Sequence, residues 1–368
     1  MLVGGTEKLR GEEEYGVPLV AGLEDAIAAH SPDAVVDLSD EPVLGPRERF
    51  LLASRALAAG VAYVGADFHF EPPAFEPFEI PSLAVIGTGK RVGKTAIAGH
   101  LARLLARDRD VVVVSMGRGG PPEPELVEIA PTLDDLLALS RSGRHAASDH
   151  FETAVLAGVP TIGCRRCGGG LAGATYVSNV LAGARLAAER SPDLVVFDGS
   201  GAAIPPVAVA ATILVAHDLS TGLNPYRALI SDLVLTMEDA VAETAAALGR
   251  AVIRFDLRLR PAEQLAGRRA AVFTTGPAPV EHLEEVVFCS RNLADRELLR
   301  RDLDQVDAEV YVVELKAAAI DLVAEAAAAR GIPVVLAENE VVAPGLDEAL
   351  VALADLALAA EARQNLDR

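Results

Sequence analysis

The chain has 368 residues, 51% of them hydrophobic and 23% charged, which suits two or three folded domains, each with its own core. Its net charge of −20 repels nucleic acid and anionic membrane surfaces, so an anionic ligand requires a local cluster of positive side chains. Apolar runs fall short of the ~20 residues of a membrane span, no secretory leader is found, and Cys164, Cys167 and Cys289 make no disulfide framework. These features predict a cytoplasmic protein with no nucleic-acid or membrane partner.

Residues 1–70 alternate between strand and helix. Leu19–Gly22, Asp33–Leu38 and Val61–Gly65 read as strands, and Leu23–His30 and Gly45–Ala59 as helices. Four prolines in the eleven residues Glu71–Pro81 exclude helix and mark a linker. A second series follows. Leu83–Ile86 is a strand, Thr95–Ala106 a helix, and Asp110–Ser115 a near-continuous apolar strand of the kind buried on both faces. Further strands are expected at Thr161–Gly163, Leu194–Phe197, Ala211–Val215 and Leu233–Leu235, with a helix over Leu171–Glu189. The Pro-containing segment Arg258–Arg269 reads as a second linker. Strands at Ala270–Thr274, Glu309–Glu314 and Val334–Ala337 then alternate with helices near Leu293–Asp304 and Ala317–Arg330. The pattern predicts an α/β protein: a doubly wound, mostly parallel P-loop domain over 76–265, between smaller Rossmann-like α/β domains at 1–75 and 266–368.

The strongest motif is Gly87-Thr88-Gly89-Lys90-Arg91-Val92-Gly93-Lys94-Thr95, after a hydrophobic strand and opening a helix. Backbone N–H groups there present oriented positive charge to phosphate oxygens. Lys94 can reach the β- and γ-phosphates of ATP, and the Thr95 hydroxyl can sit on Mg²⁺. Only four of the 33 basic residues are lysine, and two of those four lie in this loop. The spacing departs from the usual pattern: Thr88 stands where a glycine is expected, and the flanking glycines resemble the dethiobiotin-synthetase-like branch of P-loop proteins. A magnesium site also needs a carboxylate on a neighbouring strand. Asp198, at the end of Leu194–Phe197, is the candidate, against a helix-capping reading and the weaker competitor Asp193. Gly199-Ser200-Gly201 follows it and lets backbone approach phosphate.

Three more loops look built for anions: Met116–Gly120 with Arg118 and Gly119, Gly163–Gly170 with Arg165, Arg166, Gly168 and Gly169, and the turn leading to Arg227. Arg recognises phosphate bidentately, although any single Arg can equally be a surface residue. Cys164 and Cys167 lack the further ligands of a zinc site, and three glycines separate them from the helix that a redox pair would open. His145, Asp149, His150 and Glu152 form a polar group that is either a water or metal position or a solvated helix start, and none is assigned.

Taken together, GTGKRVGKT (87–95), MGRGGPPEPE (116–125), DHFETAVLAGVPTIGCRRCGGGLAG (149–173), DGSGAAIPP (198–206), SDLVLTM (231–237), ELKAAAID (314–321) and VGGTEKL (3–9) resemble the cyclic 2,3-diphosphoglycerate synthetase family. The resemblance implies an ATP-dependent ligase that joins the two phosphates of 2,3-bisphosphoglycerate as an anhydride, releasing ADP and phosphate. It implies ATP on the 87–95 loop, Mg²⁺ at Thr95 and Asp198, and catalytic roles for Lys94, Lys90 and Asp198. The substrate phosphates would fall to Lys90, Arg91, Arg118, Arg165 and Arg166, with Gly119, Gly168, Gly169 and Arg227 beside them. The family pattern has a further strand–helix unit before VGGTEKL, so the first domain reads as shortened. The last domain, carrying Lys316, would either cover the active site or support a homodimer. Two other readings keep the P-loop: a carboxylate-activating ligase of the dethiobiotin or cobyrinate type, and a regulatory NTPase that orders its loops on binding nucleotide.

Overall fold

A computed structural model describes residues 16–20, 22–41, 43–141, 149–276, 280–315 and 320–366. The VGGTEKL segment, His145 and Lys316 lie outside the described residues. No helix among the described residues is long and apolar enough to cross a membrane.

The N-terminal unit carries helix α1 (Leu23–His30), strand β1 (Ala34–Val36), helix α2 (Pro46–Ala58) and strands β2 (Ala62–Val64) and β3 (His69–Phe70). β1 and β2 are parallel, and β3 returns antiparallel. The Asp37 carboxylate, at the end of β1, accepts from Ser39 N (2.8 Å) and Tyr63 Oη (2.9 Å) and pairs with Arg49 Nε at 2.7 Å. Ala53, Ala56 and Leu57 of α2 enter one core of the central domain, so this unit leans on the nucleotide domain rather than standing apart. Leu19–Gly22, expected as a strand, has no strand among its described residues.

The central domain runs through β4 (Ser82–Gly87), α3 (Lys94–Leu105), β5 (Val111–Gly117), β6 (Glu125–Val127), α4 (Leu133–Arg141), α5 (Asp149–Ala157), β7 (Thr161–Cys167), β8 (Val177–Ser178), α6 (Val180–Glu189), β9 (Leu194–Asp198), β10 (Ala211–Ala216), α7 (Asn224–Leu229), β11 (Leu233–Thr236), α8 (Asp239–Ala247) and β12 (Ala251–Arg254). Its strands lie in the order β12-β11-β10-β4-β9-β5-β7-β6. All neighbours from β12 to β7 are parallel, and β6 and β8 pair antiparallel with β7. Successive side chains of a strand face opposite ways. Leu83, Val85, Val111 and Val113 accordingly enter one core with α3, while Ala84, Ile86, Val112 and Val114 enter the other with α6 and α8. Both faces are covered, which is why these strands read as unbroken apolar runs.

The C-terminal sheet has the order β13-β17-β16-β14-β15, from β13 (Asp256–Pro261), β14 (Ala270–Phe273), β15 (Val286–Ser290), β16 (Val310–Glu314) and β17 (Val334–Val342), with helices α9 (Arg296–Gln305) and α10 (Ile320–Arg330). Two sequence expectations need correction. The supposed linker at 258–269 begins as β13, an edge strand antiparallel to β17. The helix expected from Leu171 begins only at Val180, because the glycine-rich stretch before it forms a loop that leads into β8. The last helix, α11 (Leu346–Leu366), returns to the central domain. Leu346, Leu350, Ala354 and Ala357 pack in one core with Ile97 and Leu101 of α3. His100–Asp347 (2.7 Å) and Arg109–Asp355 (2.9 Å) reinforce that seam, and Arg103–Glu338 (3.0 Å) ties α3 to β17.

Candidate phosphate-binding cleft

The phosphate loop leaves β4 at Gly87, where a side chain has no room: a Cβ there would lie 2.6 Å from Cδ of Lys94. Lys94 opens α3 and folds back across the loop, 8% exposed, its Nζ donating to Gly89 O at 2.7 Å. Two loop residues have left-handed backbone, Arg91 (φ 60°) and Gly93 (φ 99°). The second is ordinary for glycine. The first costs a side-chain-bearing residue on the order of 1 kcal/mol or more, strain of the kind that gathers at ligand-binding loops. Thr88 ties the loop to β10: its amide donates to Val215 O (3.2 Å), and its Oγ1 accepts from His217 N (3.1 Å).

The facing wall comes from β9. Asp198 ends that strand, 3% exposed, in register with Val85 of β4 on one side and Ser115 of β5 on the other. Gly199 N donates to Val85 O at 2.9 Å, and a Cβ there would sit 3.1 Å from both Val85 O and Ala203 O. Glycine lets the chain pass this close to the phosphate-loop strand without displacing either carbonyl. Exposed Arg118 and Gly119 come from the end of β5, and buried Glu152 from α5.

These parts enclose a 380 Å³ cleft at the C-terminal edge of the sheet, lined by Lys90–Thr95, Arg118, Gly119, Glu152, Asp198 and Gly199–Gly201. Open parallel sheets bind ligands at that edge. Four cations (Lys90, Arg91, Lys94 and Arg118) face two carboxylates there, the reverse of the chain's overall balance. The Thr95 hydroxyl and the Asp198 carboxylate supply hard oxygen donors to the same space. Among the described residues no group of three or more His, Cys, Asp or Glu is placed to hold a metal. The Thr95 hydroxyl and Asp198 carboxylate are hard oxygen donors of the kind that suits Mg²⁺, which keeps phosphate and water among its ligands.

The structure brings Lys90, Arg91, Val92, Gly93, Lys94, Thr95, Arg118, Gly119 and Asp198 together around this cleft, with Gly87, Thr88 and Gly89 forming the start of its loop. The remaining expected anion binders, Arg165, Arg166, Gly168, Gly169 and Arg227, lie outside its lining. Arg227 is 2% exposed and spends its guanidinium on backbone: Nε and Nη2 donate to Ala202 O (2.9 and 2.6 Å), and Nη1 to Leu171 O (3.0 Å) and Leu223 O (3.1 Å). Burial lowers its pKa to about 10. Arg166, 8% exposed, donates to Gly168 O (2.9 Å) and Ser200 O (2.8 Å). Arg165 donates from Nε to Gly120 O at 2.6 Å. Gly168 (φ 67°) makes room for Tyr176, and Gly169 lies against Arg166.

Cys164 and Cys167 sit on β7, three residues apart and so on opposite faces. Cys164 is buried against Gly183, and burial pushes its thiol up to about 12, while Cys167 is exposed. His150 is buried, its ring over the Cα of Gly163, with Nε2 3.8 Å from Glu125. Sequence reading left Glu152 unassigned because its only local signal was a polar cluster at a helix start. Its place in the cleft depends on how α5 packs between α3 and β7.

Family models described as cyclic 2,3-diphosphoglycerate synthetase match the chain in three stretches: the N-terminal domain at 1–71, the P-loop domain at 82–250 and the C-terminal domain at 261–340. The chain belongs to the cyclic 2,3-diphosphoglycerate synthetase family. A protein of that name from Rubrobacter xylanophilus is 49% identical, over 96% of this chain and 89% of its own length. Another from Thermococcus kodakarensis is 42% identical, over 92% and 88%, and one from Methanothermus fervidus 36%, over 97% and 90%. A crystal structure of LpxK from Aquifex aeolicus in complex with ATP superposes with a TM-score of 0.50, at 15% identity, over 78% of this chain and 91% of that one. That likeness speaks for the P-loop fold alone. Family membership makes the chain a synthetase, and the cleft is where its phosphate loop lies.

Proposed function

We propose that the chain uses ATP to close 2,3-bisphosphoglycerate into cyclic 2,3-diphosphoglycerate, releasing ADP and phosphate. The observation that carries this reading is the cleft itself: four cations and a run of backbone amides in 380 Å³, on a chain whose net charge is −20. The relatives' names fit a substrate that needs such a site.

The reaction balances in two transfers. An oxygen of one acceptor phosphate attacks the γ-phosphorus of ATP, the bond to the β–γ bridging oxygen breaks, and ADP leaves. An oxygen of the second acceptor phosphate then attacks the phosphorus of the first. The P–O–P ring forms as the bond to the transferred group breaks and inorganic phosphate departs. Little covalent work falls to the protein, and positioning and charge stabilisation carry the rate. Lys94 and the loop amides would hold the β- and γ-phosphates. Lys90, Arg91 and Arg118 would draw the acceptor phosphates against them and offset the charge of their approach. Thr95 and Asp198 would hold Mg²⁺, which would supply neutralisation of phosphate charge.

The test is ³¹P NMR of the protein with Mg²⁺, ATP and 2,3-bisphosphoglycerate. Loss of both monoester signals to anhydride signals, matched by ADP and phosphate, is the expected result. ATP consumption that leaves the acceptor signals untouched overturns the reading.

A further inference from the structure

The loop after Asp198 forms the wall opposite the phosphate loop, and two buried arginines hold it from behind. Arg166 Nη2 grips Ser200 O at 2.8 Å, and Arg227 holds Ala202 O through both Nε and Nη2. Ala203 N closes the turn by donating to Ser200 O at 3.0 Å, and Ile204 N donates to Gly173 O at 2.9 Å. The glycine loop at 168–173 is drawn into the same assembly, since Arg166 also holds Gly168 O and Arg227 also holds Leu171 O.

The geometry of one peptide unit has a chemical consequence. In a trans peptide the C=O and the following N–H point in opposite directions. With the Ser200 carbonyl aimed at Arg166, the Gly201 N–H is turned away from that guanidinium. Gly201 lines the cleft and Arg166 does not. A Cβ on Gly201 would lie 3.1 Å from Arg166 Nη2 and 3.9 Å from Lys90 Cγ, so the residue sits between the buried arginine and the lysine of the phosphate loop. Gly201 also has φ 62°, a conformation that glycine adopts without strain. A cation on a carbonyl polarises its peptide and strengthens the N–H on the other side as a donor.

We propose that Arg166 and Arg227 are positioning residues that aim the Gly201 amide into the cleft as a donor to an acceptor phosphate, in the space shared with Lys90. The inference rests on the cyclisation reading for the identity of that phosphate, though not for the anion site. Arg166 and Arg227 act through the loop, with their guanidinium groups spent on its carbonyls. Their long-range grip explains why residues resembling a phosphate cradle in sequence are spent on carbonyls in the fold.

The experiment selectively labels glycine with ¹⁵N and follows the Gly201 amide during separate titrations with inorganic phosphate and 2,3-bisphosphoglycerate. In the wild type the Gly201 resonance moves with both. In Arg166→Gln it responds to neither, kcat/KM for the acceptor falls about 100-fold, as expected for a misplaced binding group, and ATP affinity is retained. Arg166→Lys, which keeps one cationic donor, recovers part of the loss. A Gly201 amide indifferent to both anions in the wild type overturns the proposal with no variant needed. So does an equal loss of ATP and acceptor affinity in Arg166→Gln. A Gly201 amide that answers phosphate in a protein that does not bind 2,3-bisphosphoglycerate keeps the anion site and overturns the cyclisation reading instead.

Discussion

Replacing Gly87 by alanine adds one methyl group, and the structure says where it goes. The new Cβ would lie 2.6 Å from Lys94 Cδ and 3.0 Å from both Cγ and Nζ. Carbon–carbon contacts settle at about 3.5–4.0 Å, so the lysine stem must retreat by about 1 Å. Gly87 is in a fully buried strand and Lys94 is 8% exposed, which leaves the side chain little room to rearrange while keeping its bond to Gly89 O. A displacement of that size in a positioning group costs about 100-fold, or roughly 2.7 kcal/mol of transition-state stabilisation. Turnover measured by ADP release should therefore fall about 100-fold in Gly87→Ala. Lys94→Ala should fall at least as far, through lost γ-phosphate stabilisation. The double variant Gly87→Ala/Lys94→Ala should be no slower than Lys94→Ala alone, because both changes remove the same group from its place. Wild-type turnover in Gly87→Ala, or fully additive losses in the double variant, would refute the claim that Gly87 is there for the lysine.

Three further outcomes are expected. Asp198→Asn should raise the Mg²⁺ concentration for half-maximal turnover at least tenfold, about 1.4 kcal/mol, and a Mg²⁺ titration unchanged from wild type would remove Asp198 from the cation site. Leu350, fully buried where α11 meets α3, should cost about 2–5 kcal/mol as alanine, a Tm lowered by roughly 3–6 °C in calorimetry for a chain of this size; no shift would mean α11 does not pack on the nucleotide domain. Burial raises the Cys164 thiol to about 12, so at pH 8 it stays protonated and thiolate forms only as pH climbs towards that value. Iodoacetamide at pH 8 should then label exposed Cys167 and leave Cys164 unmodified by mass spectrometry; equal labelling would contradict its packing against Gly183.

How much was legible followed the range of the interactions. Gly87–Thr95 could be read because a phosphate loop is consecutive: glycines at the tight points, a strand before and a helix after. Asp198 could be read because a carboxylate at the end of an apolar strand needs no distant residue to explain it. The segment at 258–269 was misread because Pro261 outweighed a period-two pattern. Arg258 and Arg260 alternate with Leu257 and Leu259, and the partner strand lies some eighty residues on, with Arg258 facing Glu340. The partners of the arginines were hidden for a related reason. Arg166 and Arg227 do recognise oxygen, but those oxygens are carbonyls at Ser200, Ala202 and Leu171, whose nearness depends on how three loops fold against each other.

The sequence by itself determined the family, the P-loop, the α/β alternation and the reversal of charge that an anionic ligand requires, since each rests on residue type and short-range spacing. The tertiary structure alone decided which cations face the cleft, which are buried as braces, that Glu152 enters the site, and that the last helix closes over the nucleotide domain. A guanidinium binds whatever acceptor is near enough to offset its desolvation. Nearness across dozens of residues is set by packing, which no local run of sequence records.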